Sequence, residues 1–186
     1  SHKKKKNLKK QAGLTNYSEK ILLSILFMAP VIYSDYIYDM ANLSKRTIIQ
    51  IGAFLLLFSW LYENYKKKPK TAILLPRIYI PIIIFLTWSF ASIFWAHNPF
   101  IAASQWWHWF CSALLCFLAL QIIDSKEKIQ KVIYSILAAG TVIALIGILQ
   151  DLFDVKWFNQ AKPPASTFIN RNMAAQVVAF LLPISI

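Results

Sequence analysis

Apolar residues in this chain fall in long runs, without the alternation of a half-buried strand or the single stripe of a surface helix. Six runs stand out: residues 21–38, 47–62, 73–95, 101–123, 132–149, and a last one that opens near Met173 and continues to Ile186. A hydrocarbon core of about 30 Å is crossed by about 20 helical residues. Backbone groups in that core must pair among themselves, which makes each run a helix. Pro30 interrupts the first run, and Pro76, Arg77 and Pro81 lie near the start of the third. The pattern predicts an all-α, polytopic transmembrane helical bundle, with about five full spans and a truncated sixth.

The polar residues between the runs orient it. With the N-terminus inside, the inner segments hold Lys3, Lys4, Lys5, Lys6, Lys9, Lys10, Lys20, Lys66, Lys67, Lys68, Lys70, Arg77, Lys126, Lys128 and Lys131. The outer ones hold only Lys45, Arg46, Lys156, Lys162 and Arg171. The acids divide evenly, with Glu19, Glu63, Asp124 and Glu127 inside against Asp35, Asp39, Asp151 and Asp154 outside. An excess of basic residues marks the cytoplasmic side, so the N-terminus is expected in the cytoplasm. Trp95, Trp106, Trp107 and Trp109 gather about the turn at residues 96–100, as expected of an outer interface, while Trp88 falls in mid-span. The division is a basic tail, residues 1–20, followed by a transmembrane domain, residues 21–186. The first run lacks a small-residue cleavage site after its basic flank and is read as a retained span.

Composition agrees. Charged residues make up 15% of the chain, below the roughly one quarter typical of soluble domains, and hydrophobic residues make up 58%. The net charge of +12 does not indicate nucleic acid, because the lysines cap apolar runs and form no basic helix face with interleaved aromatics. Juxtamembrane lysine is expected instead to meet anionic lipid.

Candidate chemistry concentrates after the fifth run. In the stretch 163–176, Asn170, Arg171 and Asn172 reach the membrane at the start of a helix. Asn172 is placed to cap it, leaving outward-facing backbone N–H groups that with Arg171 suit a phosphate. The same residues also fit a plain cap beside a snorkelling arginine. Gln150 closes the fifth run and suits either a site or a hydrogen bond to a neighbouring helix. His97 and His108 read as interface anchors, and Cys111 and Cys116, five apart in one helix, as packing residues. No metal-ligand spacing, phosphate loop or dinucleotide fingerprint occurs, and no cofactor is expected.

Ser166-Thr-Phe-Ile-Asn-Arg-Asn-Met-Ala-Ala-Gln176, followed by an apolar run to Leu182-Pro183, resembles the hallmark of the O-antigen ligase and polymerase superfamily. Ile146-Gly-Ile-Leu-Gln150 and Ser92-Ile-Phe-Trp-Ala-His-Asn-Pro99 resemble the family's helix end and short outer turn at matching order and spacing. The resemblance covers most of the chain from about residue 73 onward. It implies a bacterial inner-membrane glycosyltransferase that moves a glycan from an undecaprenyl-pyrophosphate carrier to an acceptor on the periplasmic face. The acceptor would be lipid A-core sugar, another repeat unit as in a polymerase, or a protein as in an oligosaccharyltransferase. It further implies Asn170 and Asn172 as the Asn-x-Asn pair, with Arg171, Lys162, Thr167 and Gln150 as substrate-binding companions. The catalytic His is expected in a large outer loop beyond Ile186, so that this chain is the N-terminal part of a longer membrane enzyme and inactive by itself. Two other classes fit the composition: a transporter or flippase, for which Pro30 and Pro81 would supply broken helices, and a membrane scaffold without enzymatic activity.

Overall fold

The computed structural model describes residues 17–34, 42–66, 73–153, 160 and 163–185. Among them the chain is all-helical: α1 Tyr17–Val31, α2 Asn42–Lys66, α3 Tyr79–Ser92 continued by a 3-10 turn Ile93–Trp95, α4 Pro99–Ile122, α5 Lys126–Phe153 and α6 Arg171–Ser185. Each apolar run contributes one helix, but the ends differ from the runs for identifiable reasons. Asn98 has an extended backbone and its Oδ1 accepts the Ile101 N–H at 3.1 Å, so α4 starts at Pro99, whose fixed φ and missing N–H suit a first position. The third run begins earlier than its helix. Residues 73–78 form an irregular lead-in, and Pro81 occupies the first turn of α3, where an absent N–H costs no intrahelical bond. Pro30 sits in the last turn of α1. Neither proline lies at the middle of a described helix.

Length and polarity set limits on spanning. Of the described helices, α5 is long and apolar enough to cross a membrane, while Tyr79–Trp95 and Arg171–Ile184 are apolar but shorter. At about 1.5 Å per residue, α1 reaches about 22 Å, less than the roughly 30 Å of a hydrocarbon core. Of the expected bundle of about five full spans and a truncated sixth, the all-helical architecture is present, and one described helix meets the length and polarity of a full span. Helix α2 has 25 residues and α4 has 24, but Lys45, Arg46, Glu63 and Lys66 lower the hydropathy of the first, and Gln105, His108 and Gln121 that of the second.

Contacts between helix ends give the topology. At one end, Glu19 of α1 pairs with Lys131 of α5 at 2.9 Å, and the Ser18 N–H donates to Glu63 of α2 at 2.9 Å. There, too, the Gln121 side chain of α4 brackets the Leu74 backbone, donating to its O at 2.7 Å and accepting from its N at 2.9 Å. At the other end, Lys45 of α2 meets the last carbonyls of α1, and Arg46 donates to Gln105 of α4 at 2.7 Å. The helices thus alternate up and down. They pack in the lateral order α3, α4, α2, α1, α5, α6, with α1 also touching α4. The central core is Leu22, Ile25, Leu56, Leu118 and Ile122, all toward the Glu19–Lys131 end. Two glycines permit the closest approaches. A Cβ on Gly52 would lie 2.7 Å from Ile25 Cγ1, and one on Gly140 would lie 2.0 Å from Leu181 Cδ1.

Candidate functional site

The segment between α5 and α6 lies at the end of the bundle opposite the Glu19–Lys131 pair, and its geometry is built from side chains that grip a loop backbone. Gln150, in the last turn of α5 and buried, accepts the Ser166 N–H at 2.7 Å and donates to the Ser166 carbonyl at 3.5 Å. Gln160 repeats this one residue away: its Oε1 accepts the Ala165 N–H at 3.2 Å and its Nε2 donates to the Ser166 carbonyl. The Pro163–Pro164 bond is cis, and Ser166 takes φ 54°, a left-handed backbone that a non-glycine residue adopts where surrounding bonds hold it. Gly147 faces this turn, and even a methyl there would come no closer than 3.9 Å to Ser166 Cβ.

Thr167 is as buried as Ser166, both about 1% exposed. Its hydroxyl donates to the Pro30 carbonyl at 2.8 Å. Lys45 completes the knot. Its Nζ donates to the carbonyls of Pro30 at 2.7 Å and Ile32 at 2.8 Å, and to Thr167 Oγ1 at 3.4 Å, and it stands 4.4 Å over the Phe168 ring. A cation against the final carbonyls of α1 answers the negative end of that helix, and the ring face adds a cation–π contact. Burial pushes the Lys45 ammonium down to about 8. One lysine therefore ties α1, α2 and the loop together.

Helix α6 is capped by Asn170, correcting the expectation that Asn172 caps it. Asn170 Oδ1 accepts the Asn172 N–H at 3.0 Å, and its carbonyl accepts from Met173 at 3.0 Å and Ala174 at 3.3 Å. These amides are engaged within the helix, so the expected set of outward N–H groups is reduced. What projects from the helix start is the exposed side chain of Arg171, with Asn172 beside it in the first turn.

Arg171 lines the mouth of a groove of about 470 Å³ between α5 and α6. Asp151 and Ser166 share the mouth, and Ile143, Ala144, Ala175 and Val178 continue it as an apolar trough. Among the described residues, the Ser166 hydroxyl is buried without a hydrogen-bond partner. A donor left unpaired in a buried place is costly unless something else fills it.

The expected site residues separate into two groups. Arg171 and Asn172 are exposed, whereas Gln150 spends its amide on the loop, Thr167 its hydroxyl on the end of α1, and Asn170 its side chain on the start of α6. Lys162 and Asp154 lie outside the described residues, as does most of the 1–20 tail. Lys45 and Ser166 carry the geometry and were not singled out from sequence. The signal for Lys45 was its place directly ahead of the apolar run 47–62 on the side poor in basic residues. The tryptophans lie elsewhere: Trp106 donates to the Leu86 carbonyl at 3.0 Å and stacks on Phe110, and Trp107 stacks on Phe54 of α2 at 5.7 Å. Those contacts run among α2, α3 and α4, while the loop's run to α1, α2 and α5, so α2 stands between the two clusters. No family model matches this chain, and neither a curated protein nor a solved structure matches it.

Proposed function

We propose that this chain belongs to a multi-pass protein of a bacterial inner membrane. Its role would be to transfer a glycan from undecaprenyl pyrophosphate to an acceptor at the periplasmic face, in the manner of O-antigen ligases. Ligation to lipid A-core, polymerisation of repeat units and transfer to protein share this donor chemistry.

The observation that carries the reading is the polarity gradient of the α5–α6 groove. Its trough is apolar, its mouth bears Arg171 together with Asp151, and the Ser166 hydroxyl, buried without a partner among the described residues, lies at the same end. A ligand with a long hydrocarbon tail and an anionic head matches that gradient. Guanidinium presents paired N–H donors to phosphate oxygens. In the reaction, the acceptor hydroxyl oxygen forms a bond to the anomeric carbon as the bond from that carbon to the pyrophosphate oxygen breaks. Negative charge grows on the departing pyrophosphate, where Arg171 would stabilise it, and the acceptor's proton leaves to a base. The membrane setting is supported by the many large apolar side chains left exposed, among them Phe58, Trp88, Phe94, Phe100 and Phe180. Such surface suits lipid and is far larger than a soluble monomer keeps.

The test is Arg171→Ala and Asn172→Ala in the full-length protein, read by surface glycan on gels and by protein abundance in the membrane fraction. Both variants are expected to reach the membrane and to lose the glycan. Normal glycan in both would overturn the site.

A further inference from the structure

A second groove, of about 310 Å³, runs between α1 and α2. Its wall on α1 is the stripe Lys20, Ser24, Met28, and its wall on α2 is Ile48, Ile51 and Leu55. The floor is Ile25 seated on the bare backbone of Gly52, where a Cβ would lie 2.7 Å from Ile25 Cγ1. Because the helices are antiparallel, Lys20 lies near Leu55 and Met28 near Ile48. Among the described residues that line it, the apolar part thus runs inward from one cation, Lys20. That cation sits at the bundle end that carries Glu63, Lys126 and Lys131, the end the charge count places in the cytoplasm. From Lys20 to Met28 the wall extends about 12 Å at about 1.5 Å per residue, most of the roughly 15 Å depth of one leaflet.

We infer that this groove binds an anionic glycerophospholipid of the inner leaflet, with its phosphate on Lys20, its glycerol region near Ser24 and one acyl chain along Ile48, Ile51 and Met28. Of the neighbouring carboxylates, Glu19 is paired with Lys131 at 2.9 Å, and Glu63 is turned to the Ser18 N–H at 2.9 Å and keeps its charge, so the phosphate is placed on Lys20, the cation that lines the groove itself. Lys20 is exposed, in contrast to Lys128 and Lys131, which are held by Asp124, Glu127 and Glu19. The groove between α3 and α4, lined by Pro81, Phe85 and Trp109, has no charged wall and so no means of selecting a headgroup. The inference rests on the membrane reading above and concerns a separate site.

The full chain, purified in detergent and stripped of lipid, is titrated with phosphatidylglycerol and phosphatidylcholine of matched acyl chains and followed by native mass spectrometry. The wild type is expected to retain phosphatidylglycerol in preference to phosphatidylcholine. Lys20→Gln is expected to weaken the anionic lipid by roughly fivefold and leave the zwitterionic one unchanged, from the scale of one juxtamembrane charge. Ser24→Trp fills the groove and is expected to weaken both lipids, while Lys126→Gln leaves both unchanged. Equal retention of the two lipids, or an unaltered Lys20→Gln, overturns the inference, as does an equal loss in Lys126→Gln, which marks diffuse attraction. A chain that stays soluble without detergent overturns the membrane reading itself. A chain that requires detergent yet shows no preference overturns only the lipid site.

Discussion

Lys45 concentrates more structure on one side chain than any other described residue of the bundle. Lys45→Met removes the Lys45 donor from the Ile32 carbonyl and one of two donors from the Pro30 carbonyl, which the Thr167 hydroxyl still serves, and is expected to lower stability by about 1–2 kcal/mol, the scale of one unsatisfied buried acceptor. Thermal unfolding in detergent measures it. The same residue sets a pH dependence. Its folded pKa is about 8 against 10.5 unfolded, so between those values the unfolded chain holds a proton that the folded chain has released. The unfolding free energy of the wild type should rise with pH across that window, by at most about 1.4 kcal/mol per unit, and Lys45→Met should lose this slope. Below pH 8 both states are charged and this residue contributes no slope. Asn170→Ala removes the cap of α6 and is expected to cost about 1 kcal/mol, while Asn170→Asp keeps it. Hydrogen exchange at the Asn172 amide reports the difference directly, because that amide bonds to the Asn170 side chain.

Between elements, the contact of α5 with α6 turns on Gly140. A methyl group there would collide with Leu181 Cδ1, the far end of a flexible side chain, so the helices must part or Leu181 must change rotamer. Gly140→Ala is expected to destabilise by about 1–3 kcal/mol, the usual cost of overpacking. Adding Leu181→Ala should recover part of that loss, and a double-mutant cycle over the two positions measures the coupling. No glycine in the sequence announces such a contact, since Gly52, Gly140 and Gly147 look alike in an apolar run. The prolines are a similar case. Pro30 and Pro81 read as breaks because a proline inside a helical run removes a bond; Pro81 falls in the first turn of its helix, where that bond does not exist, and Pro30 in the last turn of α1, where the lost bond to the Leu26 carbonyl coincides with the helix end.

For the whole molecule, the alternation of helix ends and the charge count make a joint prediction. A reporter fused after Lys70 is expected to read cytoplasmic, and one within residues 158–163 periplasmic. The reverse pattern would place Arg171 on the side away from the carrier-linked glycan and remove the proposed chemistry. The lateral order leaves α3 and α6 at opposite margins, with α2 and α1 between them. The tryptophan cluster and the Arg171 groove are consequently separate surfaces, although the sequence places both on the outer side.

The run lengths alone determined that the chain is helical and roughly where each helix lies, because a long apolar run has few other ways to satisfy its backbone. The lysine clusters set the expected orientation by the same elementary argument. The neighbourhood of the site was legible too: Asn170, Arg171 and Asn172 stand out as polar residues at the edge of an apolar run. Which of them caps the helix was not legible, since either asparagine can accept an N–H and only the backbone at 170 decides. Nor could the sequence join Lys45 to Thr167, separated by 122 positions, or bury the Ser166 hydroxyl without a partner among the described residues. Those depend on α1 and α2 packing against the loop. A hydrogen bond between distant residues is fixed by where whole helices come to rest, and that is decided by the tertiary structure.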